Sequence, residues 1–312
     1  CTHLEERNGH GSLTVDTVAE EFVHFFHLSP GPKLEDLKGL LESNGVATVR
    51  PDRLSGLRGV HYAQKGSAPT ILYEEAQWEG GKEHTVLHET FELVYAEWWR
   101  RKHQFRRPSQ QALCRAADRF AASVLMQPDI FRPFLYASGL DLIAMRQHFQ
   151  RSYASVMYRA KEVLASEIDF IAALYERTTA GTPESWPWSV SPREFEVVHV
   201  ARTARFPLVR AGSSFRAFEY PRHVMPRMGG TVLPGSAAQY VIETGRPLLV
   251  ERVSGFDFWG YNDLIVLVRP VHWAGRLAKV MLLALHHRDR GLLETQVGAV
   301  QPERRPRAYQ II

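Results

Sequence analysis

The chain has 312 residues, of which 45% are hydrophobic and 23% charged, and its formal net charge is +4. This length suits two or three domains, and the composition excludes a chain that is disordered throughout. The mildly basic balance permits an acidic partner without requiring one. The two cysteines, Cys1 and Cys114, are too few for a disulfide framework. We therefore expect a cytoplasmic protein, with no signal peptide and no membrane span.

In chain order, residues 1–13 are polar and predict a flexible N-terminal segment. Apolar residues at helical spacing predict an amphipathic helix from Val15 to Phe26 and a second from Leu34 to Ser43. Asn44-Gly45 ends the second helix, because glycine adopts the left-handed backbone conformation without steric cost. The runs ATVR, GVHYAQ and PTILYEE then predict three short strands.

Helical patterns follow over about 82–101, 109–126 and 140–176. Residues 177–194 are dense in Thr, Ser, Pro and Gly and lack periodicity, so they predict a linker. Strands and one helix are predicted beyond it, at EFEVVHVAR, SAAQYVIETG, PLLVERV, LIVLVRP and AKVMLLALHH. Residues 288–312 predict a weakly ordered tail. The predicted fold class is α+β, with a mainly helical front domain that carries a small sheet and a second α+β domain.

The stretch HTVLHETFE, residues 84–92, carries the chemistry of the front domain. On a helix, His88 and Glu92 lie one turn apart on one face, so both reach a single metal ion. Glu89 points about 100° away from His88, where it is placed to act as a base on water at the metal. Zinc accepts carboxylate and imidazole ligands and activates water. The pattern permits a zinc site with one exchanged ligand, because the zincin pattern H-E-x-x-H has His where this chain has Glu92.

His84 offers a second pairing, because His84 and His88 are also four residues apart. His84 and Glu92 stand about 12 Å apart along the helix axis and cannot bind the same ion. Either His84 with His88 or His88 with Glu92 is the ligand pair, and only the second leaves Glu89 placed as the base. The plainer interpretation is that His84 packs in the core and that Glu92 is solvated or ion-paired.

Two runs resemble the ImmA/IrrE family of metallopeptidases. HTVLHETFELV resembles that family's F-T-L-A-H-E-[LI]-G-H helix, and CRAADRFAASVLMQP, residues 114–128, resembles its E-x-x-A-N-x-F-A-A-x-L-L-M-P helix. The resemblance extends over residues 15–175. It implies a zincin-like peptidase domain over 14–136, followed by a helix-turn-helix-like helical segment over 137–176.

Carried over residue by residue, the resemblance implies that His88, Glu92 and Cys114 are metal ligands and that Glu89 is the general base. Cys114 stands where the family has Glu, and Asp118 stands where it has Asn. Glutamate and cysteine both bind zinc, so the resemblance together with these residue types predicts Zn²⁺ as the cofactor.

Cys114 and Phe91 each have a second interpretation. Free cysteine is among the most buried residue types, so Cys114 as a core residue is the alternative to Cys114 as a ligand. As a ligand, its oxidation would eject the metal and give direct redox control. Phe91 stands at the family's glycine, where we expect it to place bulk near the metal or the substrate.

Two segments raise the question of nucleic-acid binding. The basic run WWRRKHQFRRP, residues 98–108, favours a solvated helix end, with phosphate or substrate contact as the alternatives. Over residues 140–164, Ser152 is placed to cap a second helix, and Arg151 and Arg159 offer charge. The start of that helix is poor in side chains that read bases, so a structural role is the main expectation.

Residues 195–287 resemble a GAF domain in their pattern. LPGSAAQYVIETGRPLLVERV resembles the helix and strand of that fold, and LIVLVRPVHWAGRLAKVMLLAL resembles its closing hairpin. The resemblance implies a sensor domain that binds a small-molecule ligand. Phe256, Phe258, Trp259 and Tyr261 either line the pocket for that ligand or belong to the core.

The order of peptidase-like domain, helix-turn-helix-like segment and GAF-like domain resembles the IrrE-type regulators of the family. It implies a cytoplasmic regulatory metallopeptidase that cleaves a protein substrate, a transcriptional repressor, in a stress response. Two other functions remain open. One is a catalytically inactive regulator that binds a protein partner in the cleft of its peptidase-like domain. The other is a DNA-binding transcription factor whose specificity depends on Arg151 and Arg159.

Overall fold

The structure is a computed structural model that describes residues 14–102, 109–178, 191–203, 228–232, 236–254 and 263–297. The chain forms two compact units. Unit 1 comprises the described residues up to Phe131 together with His148–Ser152, and unit 2 comprises Arg132–Gln147 and the described residues from Tyr153 onward. The predicted N-terminal segment 1–13 lies outside the described residues, as do 179–190 of the predicted linker and 298–312 of the predicted tail.

Unit 1 contains helices and a small sheet in the predicted order. Its elements are α1 (Val15–Phe25), α2 (Leu34–Ser43), β1 (Thr48–Asp52), β2 (Gly59–Tyr62), β3 (Thr70–Glu74), α3 (Glu79–Lys102), α4 (Gln110–Leu125) and the start of α5 (Pro128–Ala137). Thr14 caps α1 by accepting a hydrogen bond from the Thr17 amide at 3.1 Å. Asn44 is the C-cap of α2, and Gly45 follows it with φ of +65°, which confirms the predicted end of that helix.

The sheet of unit 1 has the strand order β1-β3-β2. β3 lies in the centre, parallel to β1 and antiparallel to β2, with His61 of β2 opposite Ile71 of β3. The core beside it is formed by buried residues of the helices, among them Leu37, Leu41, Leu87, Phe91, Ala117 and Phe120. β2 is therefore an edge strand that lies beside the helical core.

Unit 2 is built on a second sheet. Its remaining elements are α6 (Leu142–Phe149, shared with unit 1), α7 (Tyr153–Leu164), β4 (Phe170–Arg177), β5 (Phe195–Arg202), α8 (Ala237–Thr244), β6 (Leu248–Ser254), β7 (Asp263–Trp273), β8 (Arg276–His286), a 3-10 segment (His287–Leu293) and α9 (Glu294–Val297). The five strands are antiparallel in the order β5-β4-β8-β7-β6. The predicted α+β class is confirmed, and so are the four strands and the helix predicted beyond the linker.

Two predicted stretches are wrong in part. The helix predicted over 140–176 is two short helices followed by strand β4, because Phe170–Tyr175 are buried on both faces of the sheet. A continuous apolar run has the same appearance in a buried helix and in a buried strand, so its periodicity could not separate them. The tail predicted from residue 288 is ordered at its start, where Leu293 and Gln296 are buried in the 3-10 segment and α9.

Candidate metal centre

Helix α3 brings His88 and Glu92 to one partly buried surface. Its opposite face is anchored in the core of unit 1, where Val86, Leu87 and Phe91 are fully buried. This anchoring fixes the rotation of the helix about its axis. Nε2 of His88 consequently lies 3.3 Å from Oε1 of Glu92, one turn further along.

Cys114 completes the group from the neighbouring helix α4. That helix begins at its cap Ser109, whose hydroxyl accepts from the Ala112 amide at 3.2 Å. The Cys114 thiol donates to Oε1 of Glu92 at 3.3 Å. One ligand atom each of His88, Glu92 and Cys114 therefore lies within 4.8 Å of the other two. Among the described residues, no other group of three His, Cys, Asp or Glu side chains converges in this way.

Asp118, one turn after Cys114 on α4, fixes the imidazole of His88. Its Oδ1 lies 2.9 Å from Nδ1 of His88. A carboxylate can only accept, so Nδ1 carries the proton and Nε2 is left facing Glu92. Burial lowers the pKa of His88, but the Asp118 hydrogen bond and the nearby carboxylates outweigh it and raise the pKa overall. A carboxylate behind the histidine is the common arrangement around metal-binding imidazoles.

Glu89 stands apart from the three converging residues and is held by strand β2. Its Oε2 lies 2.7 Å from Nδ1 of His61. This hydrogen bond, against the opposing effect of partial burial, raises the pKa of His61. The sequence analysis did not single out His61, and no local pattern could have done so. The contact joins a strand to a helix 28 positions further along the chain.

His84 does not join the cluster, although it lies one turn before His88. Its Nε2 is 4.0 Å from Oδ1 of Asp118, and its ring centroid is 6.4 Å from that of His88. Burial lowers the pKa of His84 to about 4, so its imidazole is neutral over the physiological range. Of the two possible ligand pairs, the structure brings together His88 and Glu92.

Cys114 is a free cysteine that is only partly buried, so it does not belong to the buried core. Burial, followed by the hydrogen bond to Glu92, raises the pKa of the Cys114 thiol. Gln110, one turn earlier on α4, lies 3.4 Å from Oε2 of Glu92 and 3.8 Å from the sulfur. Gln110 therefore adds a polar contact at the edge of the cluster.

Phe91, which was expected to place bulk near the metal or the substrate, packs in the core of unit 1. Its side chain is fully buried, with its ring 5.2 Å from Phe120 and 5.7 Å from Tyr95. Position 91 lies on the core face of α3, about 100° from position 92 along the helix. The phenylalanine therefore fills the core beside α3.

The donor atoms fit a zinc ion. Thiolate sulfur, imidazole nitrogen and carboxylate oxygen are the three ligand types that zinc takes in proteins. Three protein ligands with a fourth position left over is the composition of catalytic zinc sites, whereas structural sites use four. The orientation of His88 by Asp118 also presents the ring nitrogen that the cluster requires.

The arginines expected to contact DNA are buried. Arg151 forms an ion pair with Glu83 of α3, and both side chains are only 3% exposed. Arg159 of α7 is 2% exposed and bonds Glu162 at 3.3 Å. Neither guanidinium is accessible to a phosphate backbone or a base, so both residues have structural roles here.

Comparison with known proteins gives a likeness of fold and no family. No family model matches the chain, and no curated protein matches it. Among solved structures, the chain is similar to a Mycobacterium tuberculosis transcriptional regulator, with a TM-score of 0.60 and 12% sequence identity. The similarity covers 92% of this chain and 79% of the regulator. At this identity the likeness concerns the fold alone.

Two further expectations concern features outside this centre. None of the described helices is long and apolar enough to cross a membrane. The aromatic residues Phe256, Phe258, Trp259 and Tyr261, expected in a ligand pocket or in the core, lie outside the described residues.

Proposed function

We propose that the chain is a regulatory zinc-dependent peptidase, in which His88, Glu92 and Cys114 hold the metal and Glu89 is the general base. The observation that carries the proposal is the convergence of three different zinc-ligand types within 4.8 Å, contributed by two adjacent helices. The resemblance of these helices to the ImmA/IrrE family adds the substrate class, a transcriptional repressor cleaved under stress. The zincin-like and GAF-like descriptions of the two units belong to the same proposal.

A regulatory role is supported by the fold. One solved structure to which the chain is similar is a Mycobacterium tuberculosis transcriptional regulator. The burial of Arg151 and Arg159 argues against DNA reading by the helix-turn-helix-like segment. We therefore place the regulatory action in the cleavage of a protein substrate.

The residues of the centre divide the chemistry among them. Zinc, when bound, polarises the scissile carbonyl and makes water a stronger acid. Glu89 takes a proton from the attacking water and delivers it to the departing amine. Asp118 keeps the proton of His88 on Nδ1, so that Nε2 remains available as a ligand. Two anionic ligands, Glu92 and Cys114, leave less positive charge at the centre than two histidines would, so we expect a weaker acid than in a zincin with H-E-x-x-H.

The first test is metal content. Wild type and Cys114→Ser are purified side by side without chelator, and zinc per chain is measured by elemental analysis. We expect about one zinc in wild type and a large loss in the variant, because serine is a poor zinc ligand. Cys1→Ser is the matched control and should retain the metal. Absence of zinc from wild type, even after loading, contradicts the proposal.

The second test concerns the base. Glu89→Gln should retain zinc and lose cleavage of the repressor by at least 100-fold, as expected for removal of a general base. Cleavage at the wild-type rate in this variant would exclude Glu89 from that role.

A catalytically inactive regulator is the second candidate, and one observation favours it. The polar groups of the centre satisfy one another, since Cys114 bonds Glu92, His88 bonds Asp118 and, separately, His61 bonds Glu89. Such a network satisfies its own hydrogen-bonding groups and therefore needs neither a metal ion nor a substrate. This candidate predicts no zinc in wild type and a saturable partner interaction that survives Glu89→Gln.

A further inference from the structure

Strand β2 approaches helix α3 more closely than a residue with a side chain at position 59 would allow. A Cβ atom at Gly59 would lie 2.3 Å from Cγ2 of Thr85 and 3.2 Å from Cγ of Glu89. Both distances are shorter than ordinary contacts between carbon atoms. Glycine at this position therefore sets the distance between the edge strand and the helix.

His61 lies two residues further along β2 and faces the same helix. Side chains at positions two apart in a strand share a face, which explains why Gly59 and His61 both meet α3. Nδ1 of His61 lies 2.7 Å from Oε2 of Glu89, and Nδ1 is the donor because a carboxylate only accepts. Oε1 of the same carboxylate lies 3.2 Å from the Cβ position of Gly59. One oxygen is therefore hydrogen-bonded and the other borders the backbone of β2.

This contact restricts a side chain that is flexible on its own. Glutamate has three rotatable bonds, and fixing them costs up to about 2 kcal/mol of conformational entropy. A general base must lie within hydrogen-bond reach of the proton it removes, so a base that is already held needs no such ordering during the reaction. Glu89 is 12% exposed and His61 is 27% exposed, so the pair lies at the border between the core and solvent.

We propose that His61 is a positioning residue for Glu89, and that Gly59 sets the distance at which its hydrogen bond forms. This inference rests on the proposed function, because it assigns a partner to the base of that reaction. His61 is not a metal ligand in this assignment. Its Nδ1 is bonded to Glu89, and among the described residues the converging ligand atoms belong to His88, Glu92 and Cys114.

The test uses the full chain loaded with Co²⁺, whose visible absorption reports on the centre, and acetohydroxamic acid as the probe. Hydroxamates chelate the metal and share a proton with a base beside it, so the probe reads the position of Glu89 without catalysis. His61→Leu removes the donor at similar size. His61→Asn keeps a nitrogen donor near the position of Nδ1. His24→Leu, at an exposed histidine of α1, is the control.

We expect all these variants to bind one Co²⁺. His61→Leu and Glu89→Gln should each lower the affinity for the probe about tenfold. His61→Asn should keep most of the wild-type affinity, and His24→Leu should bind the probe as wild type does. His61→Leu added to Glu89→Gln should have no further effect, because two residues that act as one unit are not additive.

Three outcomes overturn the inference. Loss of cobalt in His61→Leu would make His61 a ligand. If His61→Leu weakens probe binding equally in the wild-type and Glu89→Gln backgrounds, His61 does not act through Glu89. If His61→Leu binds the probe with wild-type affinity, His61 has no positioning role. In each of these cases wild type still binds metal and probe, so the proposed function stands. If wild type binds no metal, the proposed function fails and the positioning role fails with it.

Discussion

Nδ1 of His88 lies 2.9 Å from Oδ1 of Asp118, so a residue outside the group of His88, Glu92 and Cys114 decides which nitrogen of the imidazole faces that group. We predict that Asp118→Ala weakens zinc binding by about 10- to 100-fold, the usual effect of removing a carboxylate behind a metal-binding histidine. Competition with a chromogenic chelator measures the affinity. Glu75→Ala removes an exposed carboxylate from the same unit and should have no effect. An equal loss in both variants would mean that Asp118 acts through net charge alone.

The close approach of β2 to α3 gives a prediction about stability. Gly59→Ala should lower the free energy of unfolding by about 1–3 kcal/mol, because the added Cβ would lie 2.3 Å from Cγ2 of the buried Thr85. Thr85→Ser deletes that methyl group and keeps a hydroxyl for the hydrogen bond to Gln77. The double variant should therefore recover most of the loss in urea unfolding.

The matched control for this prediction is Gly39→Ala in α2, where no atom lies within 4 Å of the added Cβ. This substitution should be neutral or slightly stabilising, because alanine favours a helix interior more than glycine does. A double variant of Gly59 and Thr85 no more stable than Gly59→Ala alone would show that the two residues do not limit the approach.

Cys114 should make metal retention sensitive to peroxide. In the zinc-loaded Cys1→Ser protein, the thiolate attacks hydrogen peroxide, the O–O bond breaks, and sulfenic acid and hydroxide form. We expect zinc release, detected with a chromogenic chelator, and rebinding after reduction with dithiothreitol. Cys114→Asp supplies a carboxylate ligand instead and should keep zinc through the same treatment. Equal release from both proteins would place the damage elsewhere.

The sequence was sufficient for those parts of the fold and site that depend on local spacing. His88 and Glu92 share a helix face because they are four residues apart, and α2 ends where Asn44-Gly45 predicts. The hydrogen bonds of Glu89 to His61 and of His88 to Asp118 depend instead on how separate elements pack. Strand β4 was mistaken for helix because burial on both faces removes the alternation that marks a strand.

His84 gives a prediction for acid conditions in the metal-free protein. Its pKa is about 4 in the folded state, below the ordinary value of 6.5, so between these pH values the unfolded chain binds more protons. Stability should therefore fall as the pH drops from 6.5 to 4, by about 1–3 kcal/mol for this residue. His84→Gln should lack this part of the fall, while His61 and His88 contribute equally to both proteins.

Urea unfolding of both proteins at pH 7 and pH 4.5, with chelator present, measures the difference. The stability gap between His84→Gln and wild type should shift in favour of the variant at the lower pH. A gap that is the same at both pH values would show that His84 is not held neutral by the fold.

The buried ion pair of Arg151 and Glu83 separates a structural role from a DNA-binding one. Arg151→Ala should destabilise the protein by about 3–5 kcal/mol, because it leaves the Glu83 carboxylate buried without its partner. Glu83→Leu combined with Arg151→Met should be much milder, since it replaces both charges by apolar groups. Thermal unfolding at fixed protein concentration measures both. Unchanged stability in Arg151→Ala would return this arginine to the candidates for nucleic-acid contact.

Arg151 reaches Glu83 from a short return of the chain, and this has a consequence for inheritance. The polypeptide leaves unit 1 after Phe131, comes back for His148–Ser152 and leaves again. A recombination event with one crossover point near residue 136 would transfer α3 with His88 and Glu92 but without Arg151. The recipient would carry a buried, unneutralised glutamate, Glu83, five residues before His88. Exchange of the second unit alone therefore requires three crossover points, after residues 131, 147 and 152, because residues 148–152 belong to unit 1.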